Sequence, residues 1–266
     1  MVYAQSIGPF NGLFGWIEKK LAFDALRRAN IVTLRESSSL QIYPYKNVRL
    51  TAETVFLQPV IKLDHISMSD FFSRDNDKIV VGVTIHHIYY KHFFAKDVYI
   101  KLMSGIFNAI IQNYKSNILI IPMEDIYGSH GGDRSIAREI INHVNEKERI
   151  KIIEEDFTSM ETANIISQTD VFIGTKTHSI VYALKTGAPL ISISYQQKSS
   201  EFMRQFCVED YSIDMGKLSI NGFMNIFEKL ILERNDIKKK LKKKYCAVKE
   251  MAEKNNILLR SLLENE

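Results

Sequence analysis

Short apolar runs alternate with longer amphipathic stretches through most of this chain. Residues 2–5, 31–34, 48–51, 79–85, 118–121, 150–153, 170–173 and 190–194 are rich in Val, Ile and Leu. Near-continuous apolarity, rather than strict alternation, is the pattern of strands buried on both faces of a parallel sheet. Residues 16–28, 97–114, 134–144 and 160–168 repeat their apolar positions at helical spacing instead. Strands and helices therefore take turns, which predicts an α/β fold of parallel sheets with helices on both faces. Residues 64–78 are polar and irregular and read as a linker. They separate a first part, residues 1–63, from a second, residues 79–215. Residues 216–266 read as terminal helices, one over 223–232 and another over the lysine-rich segment behind it.

The stretch over 171–202, VFIGTKTHSIVYALKTGAPLISISYQQKSSEF, is the richest in chemistry. It reads as strand, polar turn, helix, Gly-Ala-Pro turn, strand and a second polar turn. Gly174 lets the chain turn tightly after the first strand. Thr175 or Thr177 can cap the helix that follows, whose exposed N–H groups favour an anion. Lys176 brings positive charge to that end, and His178 a group that titrates near neutral pH. Gly187 suits the end of the helix, and Pro189 prevents its continuation. The second turn supplies Tyr195, Gln196, Gln197 and Lys198. Two polar turns at the same end of neighbouring parallel strands are where open α/β sheets take ligands. That points to an enzyme, although an ordinary strand–helix unit with a solvated Lys and His accounts for the first turn alone.

A second cluster follows the run at 79–85. His86, His87 and His92 fall within HHIYYKH, at the carboxyl end of that strand. No carboxylate or cysteine joins them at ligand spacing along the chain, so the run reads as lining for a donor or a sugar rather than as a metal site. Met203 and Met224 sit at helical spacing and read as core filler.

Composition and charge narrow the class. With 45% hydrophobic and 25% charged residues, the 266-residue chain has an ordinary globular balance and room for one large or two small domains. No apolar run approaches the roughly 20 residues of a membrane span, and the N-terminus lacks the pattern of a secretory signal. Cys207 and Cys246 are far apart and form no CxxC, which fits a reducing cytoplasm. There is no P-loop and no GxGxxG. The net charge of +4 lies in residues 233–266, which carry ten Lys or Arg against six Asp or Glu. Lys238, Lys239, Lys240, Lys242, Lys243 and Lys244 supply most of it, among Ile237, Leu241, Val248, Met251, Leu258 and Leu262 at helical spacing. Such a segment reads first as an amphipathic helix with a solvated lysine face. Its sharper reading is attraction to anionic headgroups at the inner face of a membrane. Nucleic acid is not an expected partner, since no aromatic interleaving accompanies the lysines.

Taken in order, GTKTHS, ALKTGAP and ISISYQQK resemble the signature of the polysaccharide pyruvyl transferase family. In that family a basic residue, a spacer and a His follow the strand, then Ala-x-x-x-Gly-x-Pro, then Tyr-x-x-Lys. Lys176 stands where the family usually has Arg, a point charge in place of a bidentate fork. Three further stretches extend the resemblance over nearly the whole chain. Tyr3-Ala4-Gln5-Ser6-Ile7-Gly8-Pro9 is similar to the family's strand and Gly-Pro loop. Arg35-Glu36-Ser37-Ser38-Ser39 resembles its Arg-acid-x-x-Ser element, with Glu53 where Asp is usual. Gly132-Asp133-Arg134 matches its Asp-Arg before a helix.

The resemblance implies a GT-B-like fold, two Rossmann-like lobes with a cleft between them. The first lobe would be represented from its Gly-Pro loop onward, so residues 1–63 are expected to behave as a remnant. Such a remnant exposes sheet edge and apolar helix faces, with poor solubility, self-association or inactivity as the expected result unless something covers them. The implied reaction moves a pyruvyl group from phosphoenolpyruvate to a sugar of a cell-surface polysaccharide or its lipid-linked precursor. The product is a pyruvate ketal, and no cofactor or metal is implied. Within that scheme Arg35, Lys176 and Lys198 hold carboxylate and phosphate. His178 is the acid, and His178 or Glu53 the base. Gln5, His86, Arg134, Thr177 and Tyr195 complete the expected binding set. A nucleotide-sugar glycosyltransferase of GT-B type is the rival reading, because it shares the architecture. A non-catalytic truncated member is a third.

Overall fold

The structure is a computed structural model that describes residues 1–264 apart from 9, 60–66, 68, 70, 73–77, 88–91, 125–131 and 196. Pro9, most of the linker read over 64–78, the Ile88-Tyr89-Tyr90-Lys91 run and Gln196 thus lie outside the described residues. The chain divides into two compact units. One is Met1–Pro59 together with Lys243–Glu266, and the other is Val60–Lys242.

The first unit is built on three parallel strands in the order β1 (Val2–Gln5), β2 (Val32–Leu34), β3 (Val48–Leu50). Helix α1 (Gly15–Arg27) links β1 to β2, and the short α2 (Ser37–Ile42) links β2 to β3. Ile7, Leu26, Val32, Leu34, Tyr43 and Val48 form its core, with Phe10 and Phe23 packed alongside. In β1, Ala4 adopts a positive φ of 48° and the pairing with β2 shifts register between Val2 and Gln5. The Ala4 N–H leaves the ladder and donates to the buried Thr33 Oγ1 at 2.7 Å. Helix α1 buries Leu26, while Leu13 and Phe14 just before it and Trp16 and Leu21 within it stay exposed.

The second unit holds a six-stranded sheet, entirely parallel. Its strands are β4 (Val80–Val83), β5 (Asn117–Ile120), β6 (Ile150–Ile152), β7 (Val171–Gly174), β8 (Leu190–Ser194) and β9 (Ser212–Asp214). Their order is β6-β5-β4-β7-β8-β9. The helices between them are α3 (Lys96–Tyr114), α4 (Asp133–Ile141), α5 (Ser159–Ser167), α6 (Thr177–Thr186) and α7 (Gln197–Gln205). Every residue of β7 and β8 is buried, which explains their unbroken apolar character. Gly82 of β4 is needed at its place, because a Cβ there would lie 2.7 Å from Thr169 Cγ2. From β4 the chain builds outward to one side, then returns to build outward from β7 on the other. The β4–β7 boundary is therefore a topological switch point, and the loops leaving these two strands diverge to open a crevice there.

Two local expectations are corrected. Neither Thr175 nor Thr177 caps α6 through its side chain; the cap residue is Lys176, without a side-chain capping bond. The Thr175 hydroxyl is drawn into the sheet, where it donates to the carbonyl of Thr84 at 2.8 Å. Nor are there separate terminal helices, because one 45-residue helix, α8 (Ile220–Glu264), runs through both segments. It buries Ile237, Leu241, Val248 and Ala252 and leaves Lys238, Lys239, Lys240, Lys242 and Lys243 exposed, the amphipathic form read from the sequence. At the end of α6, Gly187 takes the left-handed conformation (φ 79°) anticipated for it. Among the described residues, no helix is long and apolar enough to cross a membrane.

The last turns of α8 belong to the first unit, where Asn255 is fully buried. Its amide donates to the carbonyls of Ala52 and Ala252, and its oxygen accepts from the Thr51 hydroxyl at 2.9 Å. Asn255→Ala strands these partners without water, so it is expected to cost about 2–4 kcal/mol. A fall in the urea midpoint, followed by circular dichroism, checks it.

Candidate functional site

The crevice at the switch point is lined by residues from four separate loops. The segment after β4 supplies Thr84, His86 and His87, and the start of α4 supplies Asp133. The turn between β7 and α6 supplies Thr175, Lys176 and Thr177, and the end of β8 leads into Tyr195. Backbone chemistry fixes the first and third of these together. The Thr175 N–H donates to Thr84 Oγ1 at 3.0 Å, Thr84 Oγ1 lies 3.0 Å from Ser179 Oγ, and that hydroxyl donates to the carbonyl of Lys176 at 2.7 Å. All three of Thr84, Thr175 and Ser179 are buried, so the network is protected from water.

At the centre lies Asp133, fully buried. Its Oδ2 accepts the N–H groups of Met123 and Glu124 at 3.0 Å each and lies 2.8 Å from Lys176 Nζ. Its Oδ1 is 3.1 Å from His87 Nδ1. A carboxylate taken out of water needs such partners, and here it has a cation, a ring nitrogen and two amides. Lys176 keeps only 10% of its side chain exposed and also reaches Glu124 at 3.1 Å, whose carboxylate is half in solvent. That contact holds the Glu124 carboxyl below its usual range, through its hydrogen bond and charge interaction with Lys176. His86 stands 5.5 Å from His87, ring to ring, and meets Tyr195 edge-on at 6.1 Å. Burial first, and the Lys176 charge second, press the His86 pKa down to about 4. His86 is therefore a neutral imidazole at physiological pH.

This arrangement corrects the reading of the histidines as a run that no carboxylate joins. Asp133 does join them, and ligand atoms of His86, His87 and Asp133 lie within 4.8 Å of one another. Sequence spacing hid the contact because Asp133 stands 46 positions beyond His87. A cation already sits against this carboxylate, since the Lys176 ammonium is as close as any ligand, and both oxygens are engaged.

The other expected site residues fall into three groups. Lys176, Thr177, His86 and Tyr195 gather in the crevice, and the Thr177 hydroxyl lies 3.1 Å from Ser199 Oγ at the start of α7. His178 is on the same turn but exposed, and no hydrogen bond to it is recorded among the described residues. Lys198 is partly buried in the first turn of α7. Arg134 lines the neighbouring space rather than the crevice. Its guanidinium donates to the carbonyls of Ile153 and Glu155 and to Asp156 Oδ1. With Glu124, Phe157, Ser159 and Tyr182 it bounds a cavity of about 380 Å³ at the ends of β5 and β6. The remaining three belong to the first unit. Arg35 pairs with Glu53, donates to Ser6 Oγ at 2.7 Å and lies 3.8 Å from Glu36. Glu53 also accepts from the Thr54 N–H, so both of its oxygens are occupied. Gln5 is exposed, its amide donating to the carbonyl of Tyr3.

Comparison with known proteins gives one family and one fold. The family model described as polysaccharide pyruvyl transferase matches residues 1–197. The amylovoran biosynthesis protein AmsJ of Erwinia amylovora is 22% identical over 246 residues, 85% of this chain and 58% of its own length. The UDP-GlcNAc 2-epimerase of Neisseria meningitidis, bound to UDP-GlcNAc, superposes with a TM-score of 0.58 at 13% identity, over 89% of this chain and 61% of that one. Anabaena HepE, in complex with UDP and glucose, gives 0.53 at 13% identity over 94% and 67%. At these identities the two structures show the fold alone, which is that of GT-B glycosyltransferases and epimerases. The chain spans about three fifths of the length of AmsJ.

The depressed His86 pKa sets a direction for acid stability. An unfolded chain binds the His86 proton near pH 6.5 and the folded one only near pH 4. The contribution of neutral His86 is therefore complete above about pH 6.5 and is lost as pH falls towards 4. Histidine Cε1–H resonances followed from pH 8 to 4 are expected to show one ring, absent in His86→Gln, that resists protonation until the acid end. Its midpoint is expected to rise in Lys176→Met, which removes the nearby positive charge.

Proposed function

The chain belongs to the polysaccharide pyruvyl transferase family, and on that premise we propose that the crevice takes phosphoenolpyruvate and passes its pyruvyl unit to a sugar of a surface polysaccharide. The observation that carries the reading is Lys176, a nearly buried ammonium at the N-terminus of α6, on the switch point of a parallel sheet. The relative AmsJ, by its description an amylovoran biosynthesis protein, agrees with a role in making an exopolysaccharide.

The two carboxylates on Lys176 have different parts in this scheme. Asp133 is buried and pinned by two amides, whereas Glu124 is half-exposed. An incoming carboxylate or phosphate takes the place of Glu124 on the ammonium and leaves Asp133 where it is. The donor then gains a charge-assisted bond to an ammonium that keeps only 10% of its side chain exposed. In the reaction, two sugar hydroxyls each form a C–O bond to C2 of the enolpyruvyl unit. The bond from C2 to the phosphate oxygen breaks, and inorganic phosphate leaves. One hydroxyl proton is balanced by protonation of the methylene carbon to a methyl group and the other by the departing phosphate. His178, exposed on the same turn, is assigned the delivery of a proton from the solvent side. Thr177 from the first turn, and Tyr195 and Lys198 from the second, line the approach.

Phosphoenolpyruvate at about a hundred times its Kd is expected to stabilise the protein by about 2.7 kcal/mol, several degrees in Tm. Lys176→Met is expected to abolish that shift. A shift with UDP-sugars but none with phosphoenolpyruvate, in a thermal melt of the full chain, overturns the proposal in favour of a nucleotide-sugar transferase.

A further inference from the structure

The reaction requires a group to accept a proton from a sugar hydroxyl, and of the expected candidates one is already engaged and the other is not held in place. Glu53 is occupied by Arg35 and the Thr54 N–H. His178 is exposed, with nothing recorded among the described residues to fix its ring. His87 is different. It is buried beside Lys176's partner carboxylate, and its Nδ1 meets Asp133 Oδ1 at 3.1 Å.

We propose that Asp133 is a positioning residue that fixes His87 with its proton on Nδ1, leaving a bare Nε2 as the proton acceptor of the crevice. The chemistry of the pair dictates the tautomer. An ionised carboxylate only accepts, so the His87 nitrogen facing it must carry hydrogen. A neutral imidazole with hydrogen on Nδ1 has its lone pair on Nε2. Asp133 cannot turn away from this task. Its Oδ2 is held by the amides of Met123 and Glu124 and by the Lys176 ammonium, and this leaves Oδ1 for His87. The same carboxylate thus places the anion-binding cation and the proton acceptor on one rigid support.

The charged and titratable groups around His87 are Asp133 from α4, Lys176 from the β7–α6 turn, Glu124 from the end of β5, and His86 next to it in the chain. Asp133 is hydrogen-bonded to the His87 ring, and the His86 ring stands 5.5 Å from it.

Asp133→Asn makes the test sharp. The asparagine oxygen is drawn to the Oδ2 position, where two N–H groups and an ammonium converge, so its NH₂ replaces Oδ1. That donor faces His87 Nδ1 and forces the ring into the opposite tautomer, with hydrogen on Nε2. Two-bond ¹H–¹⁵N spectra of the imidazoles, with His87 assigned through His87→Gln, read the tautomer directly. Wild type is expected to show hydrogen on Nδ1 and Asp133→Asn hydrogen on Nε2. A wild-type ring protonated on Nε2, or an unchanged tautomer in a folded Asp133→Asn protein, overturns the assignment. Should the variant not fold, the wild-type spectrum alone decides.

The kinetic arm rests on the proposed function. Asp133→Asn is expected to lower pyruvyl transfer about a hundredfold or more, the scale on which loss of a correctly set acid–base group is felt. Wild-type turnover with an inverted tautomer refutes the role of Nε2. If phosphoenolpyruvate is not the donor, wild type shows no transfer either, while the imidazole spectra still decide the Asp133 assignment.

Discussion

The buried carboxylate of Asp133 is the constraint on which the crevice depends. Removing a charge from water is costly, and the cost is offset only when every lone pair finds a partner. Asp133 meets that demand by drawing together the end of β5, the segment after β4 and the turn before α6. These loops are far apart along the chain. They converge because the sheet order brings β5, β4 and β7 side by side. The sheet sets the approximate distance, and the carboxylate sets the final one.

The same electrostatic centre gives the neighbouring groups unequal characters. His86 lies close to a lysine and away from solvent, so it stays neutral. Glu124 touches that lysine too, but from the open side, and keeps its charge more readily than a free carboxyl. His178, two residues after that lysine, is exposed. Two histidines and two carboxylates around a single ammonium therefore behave as four different reagents, distinguished by depth and partners rather than by residue type. The Arg-to-Lys departure fits this setting. A lysine can give its three donors to scattered acceptors, whereas a guanidinium fork favours one planar partner.

Much of this was readable from the chain. Strands β1 and β8 fall where their apolar runs end, and the ends of α3, α5 and α6 lie within a residue of the expected ones. Apolar continuity and the helix-ending Gly187 carry that information locally. The polar turns of β7 and β8 are at the same end of adjacent strands, as their spacing implied. What stayed hidden depends on contacts between distant residues. Asp133 stands out in sequence only as part of the Gly-Asp-Arg match before a helix, and nothing near it announces His87. Thr175 looks like a cap until β4 is placed beside it and Thr84 draws its hydroxyl away. Helix α7 and strand β9 were missed because a polar first turn and a three-residue edge strand leave little periodicity to read.

The long helix α8 has a consequence for how the chain is made. The first unit is assembled from Met1–Pro59 and Lys243–Glu266, with the whole of Val60–Lys242 synthesised in between. The partners Thr51 and Asn255 are separated by 204 positions. At ribosomal speed the N-terminal strands wait roughly ten to forty seconds for the helix that satisfies the Thr51 hydroxyl and the Ala52 carbonyl. During that interval the six-stranded unit can fold as a block, while Thr51 and Ala52 wait without the Asn255 side chain that partners them in the finished unit. The small unit is thus the last part of the chain that can be completed, because its final helix is the last segment synthesised.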